Sequence, residues 1–132
     1  MSALSIAASG LAAASLRLQV SASNVANMSD TGPLPDTANA SAVPADYVPL
    51  RVDQVDIGGA TSATAVPVSP SYVPQVDPSE PYADGNGLVA APNVDLANEA
   101  VQQIIARYEL VANAKVMQVE AQMMQSLLDI KA

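Results

Sequence analysis

The residues best equipped for chemistry in this chain are its carboxylates, and their spacing invites three readings. Asp84-Gly85-Asn86-Gly87 has the opening of a calcium loop, in which alternating oxygens and a glycine wrap a cation. The fifth position is Leu88, however, and no Glu stands at the twelfth, so the run reads as a turn. Its glycines also fail as a phosphate cradle, because no helix starts directly after them. Asp53 and Asp56 could share acid–base work, yet they lie in a hairpin bounded by prolines with no evident pocket, and they read as solvated charges. Glu109 and Lys115, on a helix otherwise apolar, are candidates for ion pairs with a neighbouring chain, though solvated side chains fit them as well.

Histidine and cysteine are both absent, which removes disulfides, imidazole and thiolate metal ligands, and every nucleophilic triad built on them. The formal net charge is −8, and the five cations, Arg17, Arg51, Arg107, Lys115 and Lys131, are scattered singly. Nothing gathers them into a phosphate-binding patch, so nucleic acid is excluded as a partner. No cofactor and no small-molecule substrate are expected, and catalysis is not the function to which these residues point.

The elements carry more information than the isolated side chains. Residues 93–132 contain neither proline nor glycine and read as one long helix. Its apolar stripe runs Val101, Ile105, Tyr108, Ala112, Val116, Val119, Met123, Leu127 and Ile130, and it repeats every eleven positions, a period that implies a nearly straight helix. Asn93 or Asp95 can cap its start, and Lys131 suits the negative end of its dipole. Residues 1–30 form a second helical segment in which Leu4, Leu11, Leu18 and Val25 recur every seven positions, with Ala7, Ala14, Ser21 and Met28 three further on. That is a heptad seam with small residues at its second position, and it requires a companion helix at close approach. Asn27, or the group ending in Gly32, would terminate it.

Residues 31–92 differ completely, holding all ten prolines and five of the six glycines. The polar start, 33–45, reads as an extended linker, and 47–66 as a β-hairpin turning at Gly58-Gly59. Any strand between Val66 and Pro81 must sit at a sheet edge. The expected fold is therefore mainly α, with long N- and C-terminal helices (1–30 and 93–132) paired as an antiparallel coiled coil. An irregular, Pro-rich, β-hairpin-containing insert (31–92) separates them. With four Tyr and no Phe or Trp, such a chain fills a thick core poorly, so part of its burial is expected from other subunits. The N-terminal helix lacks the basic start of a secretory signal, and its Ser, Arg, Gln and Asn residues are expected to break it before it spans a bilayer.

Two groups of residues resemble a known family. Ala8-Ser9-Gly10-Leu11 with Asn24-Val25-Ala26-Asn27 is similar to the N-terminal motif of bacterial flagellar rod and hook proteins. Asp77-Pro78, Pro81, Ala83-Asp84, Gly87, Val89 and Pro92-Asn93-Val94-Asp95 resemble the approach to the last helix in the proximal-rod members. Arg107-Tyr108-Glu109, Ala112-Asn113, Met123-Met124 and the closing 127–132 continue the likeness.

The resemblance implies a structural subunit of the flagellar basal-body rod, a helical tube that transmits motor torque across the periplasm. It implies copies of itself, other rod proteins and the membrane-ring base of the motor as partners. It also implies delivery by the flagellar type III export apparatus without a cleaved signal peptide. The assembly interface is then expected at Leu4, Leu11, Leu18, Val25, Asn24 and Asn27 of the first helix, and at Ile105, Tyr108, Ala112, Val116, Val119, Met123, Leu127 and Ile130 of the second. The resemblance also admits another flagellar axial sibling of the rod or hook, and the competing class, an amphipathic peripheral membrane or partner-binding module, is disfavoured on the membrane side by the single cation, Arg17, on the first helix.

Overall fold

The computed structural model describes residues 2–35 and 47–131, with Lys131 described in its backbone alone. Most of the expected linker at 33–45, and the charge placed at the end of the last helix, thus lie outside the described residues.

Helix α1 runs Ala3–Ala26. The Ser2 side chain accepts the Ser5 amide, 3.2 Å away, and so caps one of the free N–H groups of the first turn. Asn27 closes the other end, its backbone N–H and its Nδ2 both donating to the Ser23 carbonyl. Gly32 plays no part in that cap. It lies five residues beyond and pairs with Ala90 in an isolated β-bridge, which requires extended backbone rather than the left-handed conformation of a C-cap. Contrary to the expectation from its polar residues, α1 is long and apolar enough, by length and composition alone, to cross a membrane.

Two hairpins follow. Strands β1 (Leu50–Ile57) and β2 (Ala60–Pro67) pair antiparallel around Gly58 and Gly59, whose φ values of 61° and 89° lie where only glycine sits without strain. The Asp56 carboxylate accepts the Gly59 amide at 2.9 Å and tightens the turn. This hairpin lies along α1, with the Leu50 backbone against Asn24, the Thr61 amide donating to Ser9 Oγ, and Gly59 near Ile6.

Strands β3 (Tyr72–Val76) and β4 (Leu88–Pro92) form a second antiparallel hairpin that the sequence pattern did not disclose. The Pro74 ring is tolerated because a two-stranded sheet consists only of edges. Val89, Ala90 and Ala91 of β4 are buried, and the Gly32 bridge fastens this sheet just past the end of α1.

Helix α2 runs Leu96–Lys131, 36 residues and about 54 Å at 1.5 Å per residue. Of the two expected caps Asp95 is used: its Oδ1 accepts the amides of Ala97 and Asn98. Asn93 instead bonds Ser71 and Pro70, tying the helix entry to the loop before β3. The terminal helices pack on each other, with Asn24 against Glu99, Arg17 against Glu109 and Gly10 against Asn113. Partners on α2 thus descend as residues on α1 ascend. The seven residues from Gly10 back to Ala3 bring the end of α1 level with Glu120, and every residue of 121–130 is exposed.

Candidate assembly interface

The covered face of α2 is not its apolar stripe. Among the covered or half-covered positions, Glu99, Gln103, Ala106, Leu110, Asn113, Met117 and Glu120 are spaced alternately four and three apart, a 3.5-residue period, with half-covered Gln102 and Glu109 beside them. Opposite them on α1 the small members of the heptad, Ala7, Ala14 and Ser21, are buried. Leu11, Leu18 and Val25 are half-covered and Leu4 is exposed. Small against small lets the helices approach closely, and the polar groups then meet one another rather than water.

Three features use that proximity. Arg17 Nη1 donates to both oxygens of Glu109, at 2.9 and 2.8 Å. Gly10 presents bare backbone to Asn113: a Cβ there would stand 2.8 to 3.0 Å from the Asn113 amide atoms. Asn24, 2% exposed, uses its entire amide. Nδ2 donates to the Leu50 carbonyl at 2.7 Å and to Glu99 Oε1 at 2.6 Å, while Oδ1 accepts the Leu50 amide at 3.0 Å and the Tyr47 hydroxyl at 2.9 Å. Asn24 and Asn27 both expend their amide N–H groups inside the chain, the first at this junction and the second on its own helix end. Glu109 likewise finds its cation within the subunit, and Lys115 donates to Gln118.

The apolar stripe of α2 points the other way. Val101, Ile105, Tyr108, Ala112, Val116, Val119, Met123, Leu127 and Ile130 are exposed without exception, Tyr108 at 73% and Ile130 at 82%. Single exposed apolar residues are ordinary, but nine aligned on one helix face form a contiguous surface of the kind that marks an interaction site. Past Glu120 the helix is apolar on more than one side, with Met124 and Leu128 exposed beside Met123 and Leu127.

The carboxylates weighed for chemistry are occupied with local structure. Asp84 Oδ1 accepts the amides of Asn86 and Leu88, each at 2.8 Å, and the Leu88 bond first, helped by Asn86, holds its pKa below the ordinary 3.8 against an opposing desolvation. Gly87 completes the turn with φ 75°. Asp53 takes the Arg51 guanidinium, Asp56 takes Gly59, and their three-residue separation along a strand places them on opposite faces of the hairpin.

The terminal helices meet on a small, polar seam and turn an apolar stripe outward, uncovered by the chain's own described residues. The profile of the family described as "Flagella basal body rod protein" matches residues 4–33, which sets the class. The flagellar basal-body rod protein FlgC of Salmonella typhimurium is 38% identical over 95% of this chain and 92% of its own length. That of Escherichia coli is 36% identical over the same shares, and that of Bacillus subtilis 28% over 96% and 95%. The chain belongs to the FlgC family of flagellar basal-body rod proteins, structural subunits rather than enzymes.

Proposed function

We propose that this rod subunit assembles through its terminal helices, paired as an antiparallel coiled coil, into a helical tube that carries motor torque across the periplasm. Its partners are copies of itself, other rod proteins and the membrane-ring base of the motor. The observation that carries the reading is the outward apolar stripe of α2, continuous from Val101 to Ile130 and left uncovered by the subunit's own fold. Covering a large aliphatic side chain contributes roughly 1.5 to 3 kcal/mol, so a row of them gives neighbours a strong reason to dock. Contacts between different faces of successive copies do not close on themselves, and their product is a filament or tube rather than a dimer.

Delivery by the flagellar type III export apparatus, without a cleaved signal peptide, belongs to the same reading. Its supports are the family likeness and a cysteine-free chain that no disulfide locks before export.

The membrane alternative draws on the length and apolarity of α1. Against it, α1 places Arg17, Ser21 and Asn24 in bonds with α2. The deciding experiment replaces Val119 by Asp and follows motility, rod assembly and export together. Loss of assembly and motility with export retained supports the reading, and unchanged motility overturns it.

A further inference from the structure

We propose that Asn24 is the register pin of the subunit, the one side chain that fixes how far α2 slides along α1 and that holds the β1–β2 hairpin to the same register. The need for a pin follows from the seam. Ala7, Ala14 and Ser21 recur every seven residues on α1, and Glu99, Ala106, Asn113 and Glu120 every seven on α2. A slide of α2 by seven residues, about 10 Å at the helical rise, sets seam position against seam position again. No bulky knob in the buried seam opposes it, since the buried residues of α1 are Ala7, Ala13, Ala14, Val20, Ser21 and Asn24.

Asn24 breaks the degeneracy. It is buried with both donor hydrogens and both acceptor positions engaged, on two segments far apart in the chain: the 47–50 stretch, through the Leu50 backbone and the Tyr47 hydroxyl, and α2, through Glu99. A seven-residue slide in one direction faces it with Ala106, and in the other carries α2 beyond its own first residue, Leu96. Either leaves a buried amide without its carboxylate, and an unpaired buried polar group is costly enough to select one alignment. A single buried Asn serves this purpose in coiled coils, setting register at some expense in stability. Here the same amide also accepts from the Leu50 N–H and donates to the Leu50 C=O, so the hairpin docks only where the helices are aligned. The Arg17–Glu109 pair favours the same register, but Glu109 is 40% exposed and can follow its partner through water.

The test uses the full chain, whose lack of cysteine leaves introduced thiols unambiguous, diluted so that cross-links are intramolecular. Gly10→Cys with Asn113→Cys reports the native register. Gly10→Cys with Ala106→Cys or with Glu120→Cys, each carrying Asn113→Ala to clear the space beside position 10, reports a seven-residue slide in either direction. With Asn24 present the native pair oxidises and the slid pairs do not. Asn24→Ala is expected to raise the slid cross-links at least tenfold, with helix content by circular dichroism retained. Retained helix content with an unchanged cross-link pattern overturns the proposal.

A second pair of variants decides the matter if Asn24→Ala fails to fold. Glu99→Ala removes the α2 partner while Asn24 keeps its bonds to Leu50 and Tyr47, and is expected to raise the slid cross-links, whereas Glu99→Gln leaves an acceptor for Nδ2 and is expected to keep the native pattern. Failure of Glu99→Ala to raise the slid cross-links equally overturns the proposal. None of these readouts depends on assembly, so they fail or succeed separately from the rod reading.

Discussion

Arg17 holds Glu109 across the helix pair with one guanidinium nitrogen, Nη1, which lies 2.9 and 2.8 Å from the two carboxylate oxygens. The pair is partly covered, with the Arg17 side chain 17% exposed. Glu109→Gln keeps one hydrogen bond and loses the charge, and is expected to lower unfolding free energy by about 1 kcal/mol at low salt and less at high salt. Arg17→Ala also strips the covering aliphatic stem and should cost more. Urea denaturation at two salt concentrations checks both the order of the variants and the salt effect.

Gly10 faces Asn113 across the seam, and their proximity limits what fits there. Gly10→Ala places a methyl 2.8 to 3.0 Å from the Asn113 amide, so the tip of that side chain must swing aside. The displacement costs part of the roughly 1 kcal/mol that Ala gains over Gly in helix propensity. Gly10→Ala is therefore expected to change stability by less than about 1 kcal/mol, and adding Asn113→Ala, which removes the obstacle, should release the full propensity gain. Thermal melts of the single and double variants reveal whether the two residues are coupled.

The helices and the first hairpin could be read from the residues because each has a strong local signal. Helix α2 lacks breakers, α1 has a heptad, and Gly58-Gly59 sits between two β-rich runs. The β3–β4 hairpin escaped because its strands are separated by the long Asp77–Gly87 turn, and Pro74 weakens the strand pattern. What the residues did not disclose was the face of α2 that meets α1, whose covered positions include Glu99, Gln103, Ala106, Leu110, Asn113, Met117 and Glu120, away from the stripe expected at the assembly interface. Hydrophobicity ranks faces by how much they want burial and does not say which chain buries them. A second signal was present: those seven positions keep a strict 3.5-residue period, matching the heptad of α1, whereas the outer stripe keeps an eleven-residue period. Matching periods, rather than matching apolarity, identified the partners.

Asp84 makes the second hairpin's turn sensitive to acid. Hydrogen bonds from Leu88 and Asn86 lower its folded pKa below the ordinary 3.8, so the carboxylate stabilises the turn above that value and the contribution is lost as pH falls through the folded pKa. The amides of Asn86 and Leu88 should therefore lose exchange protection only as pH falls below the ordinary carboxylate range, with the helix pair still intact. Asp84→Asn should show weaker protection that no longer varies with pH, which two-dimensional NMR across pH 2.5 to 6 would record.

Residues 121–130 extend past the end of α1 with every side chain exposed. A free helical segment of that length is marginal in water, since helix shorter than about 12 to 15 residues gains little without packing. In the dilute subunit their amides are expected to exchange at least tenfold faster than those from Gln102 to Met117. Hydrogen exchange on the subunit and on the assembled rod should find the difference abolished on assembly. Equal protection in the two states would mean that the overhang is ordered by the subunit alone.

The two faces of the helix pair can be separated by what a charge does on each. Ala14 is 0% exposed, and Ala14→Asp buries an unpaired carboxylate on the seam, a change of the kind that costs more than about 4 kcal/mol. Its expected effect is an unfolded subunit with no helix signal. Val119 is half exposed on the outer stripe, so Val119→Asp should change the stability of the isolated subunit by no more than about 0.5 kcal/mol. Its circular dichroism and melting curve should match the parent, while polymerisation with partner rod proteins fails, because a carboxylate inside an apolar contact must be desolvated without a cation to receive it. Tyr108→Asp, about three turns toward the start of the same stripe, should behave like Val119→Asp. A soluble, folded, non-assembling subunit in both cases assigns the stripe to assembly, whereas destabilisation of the lone subunit by either would assign it to the fold.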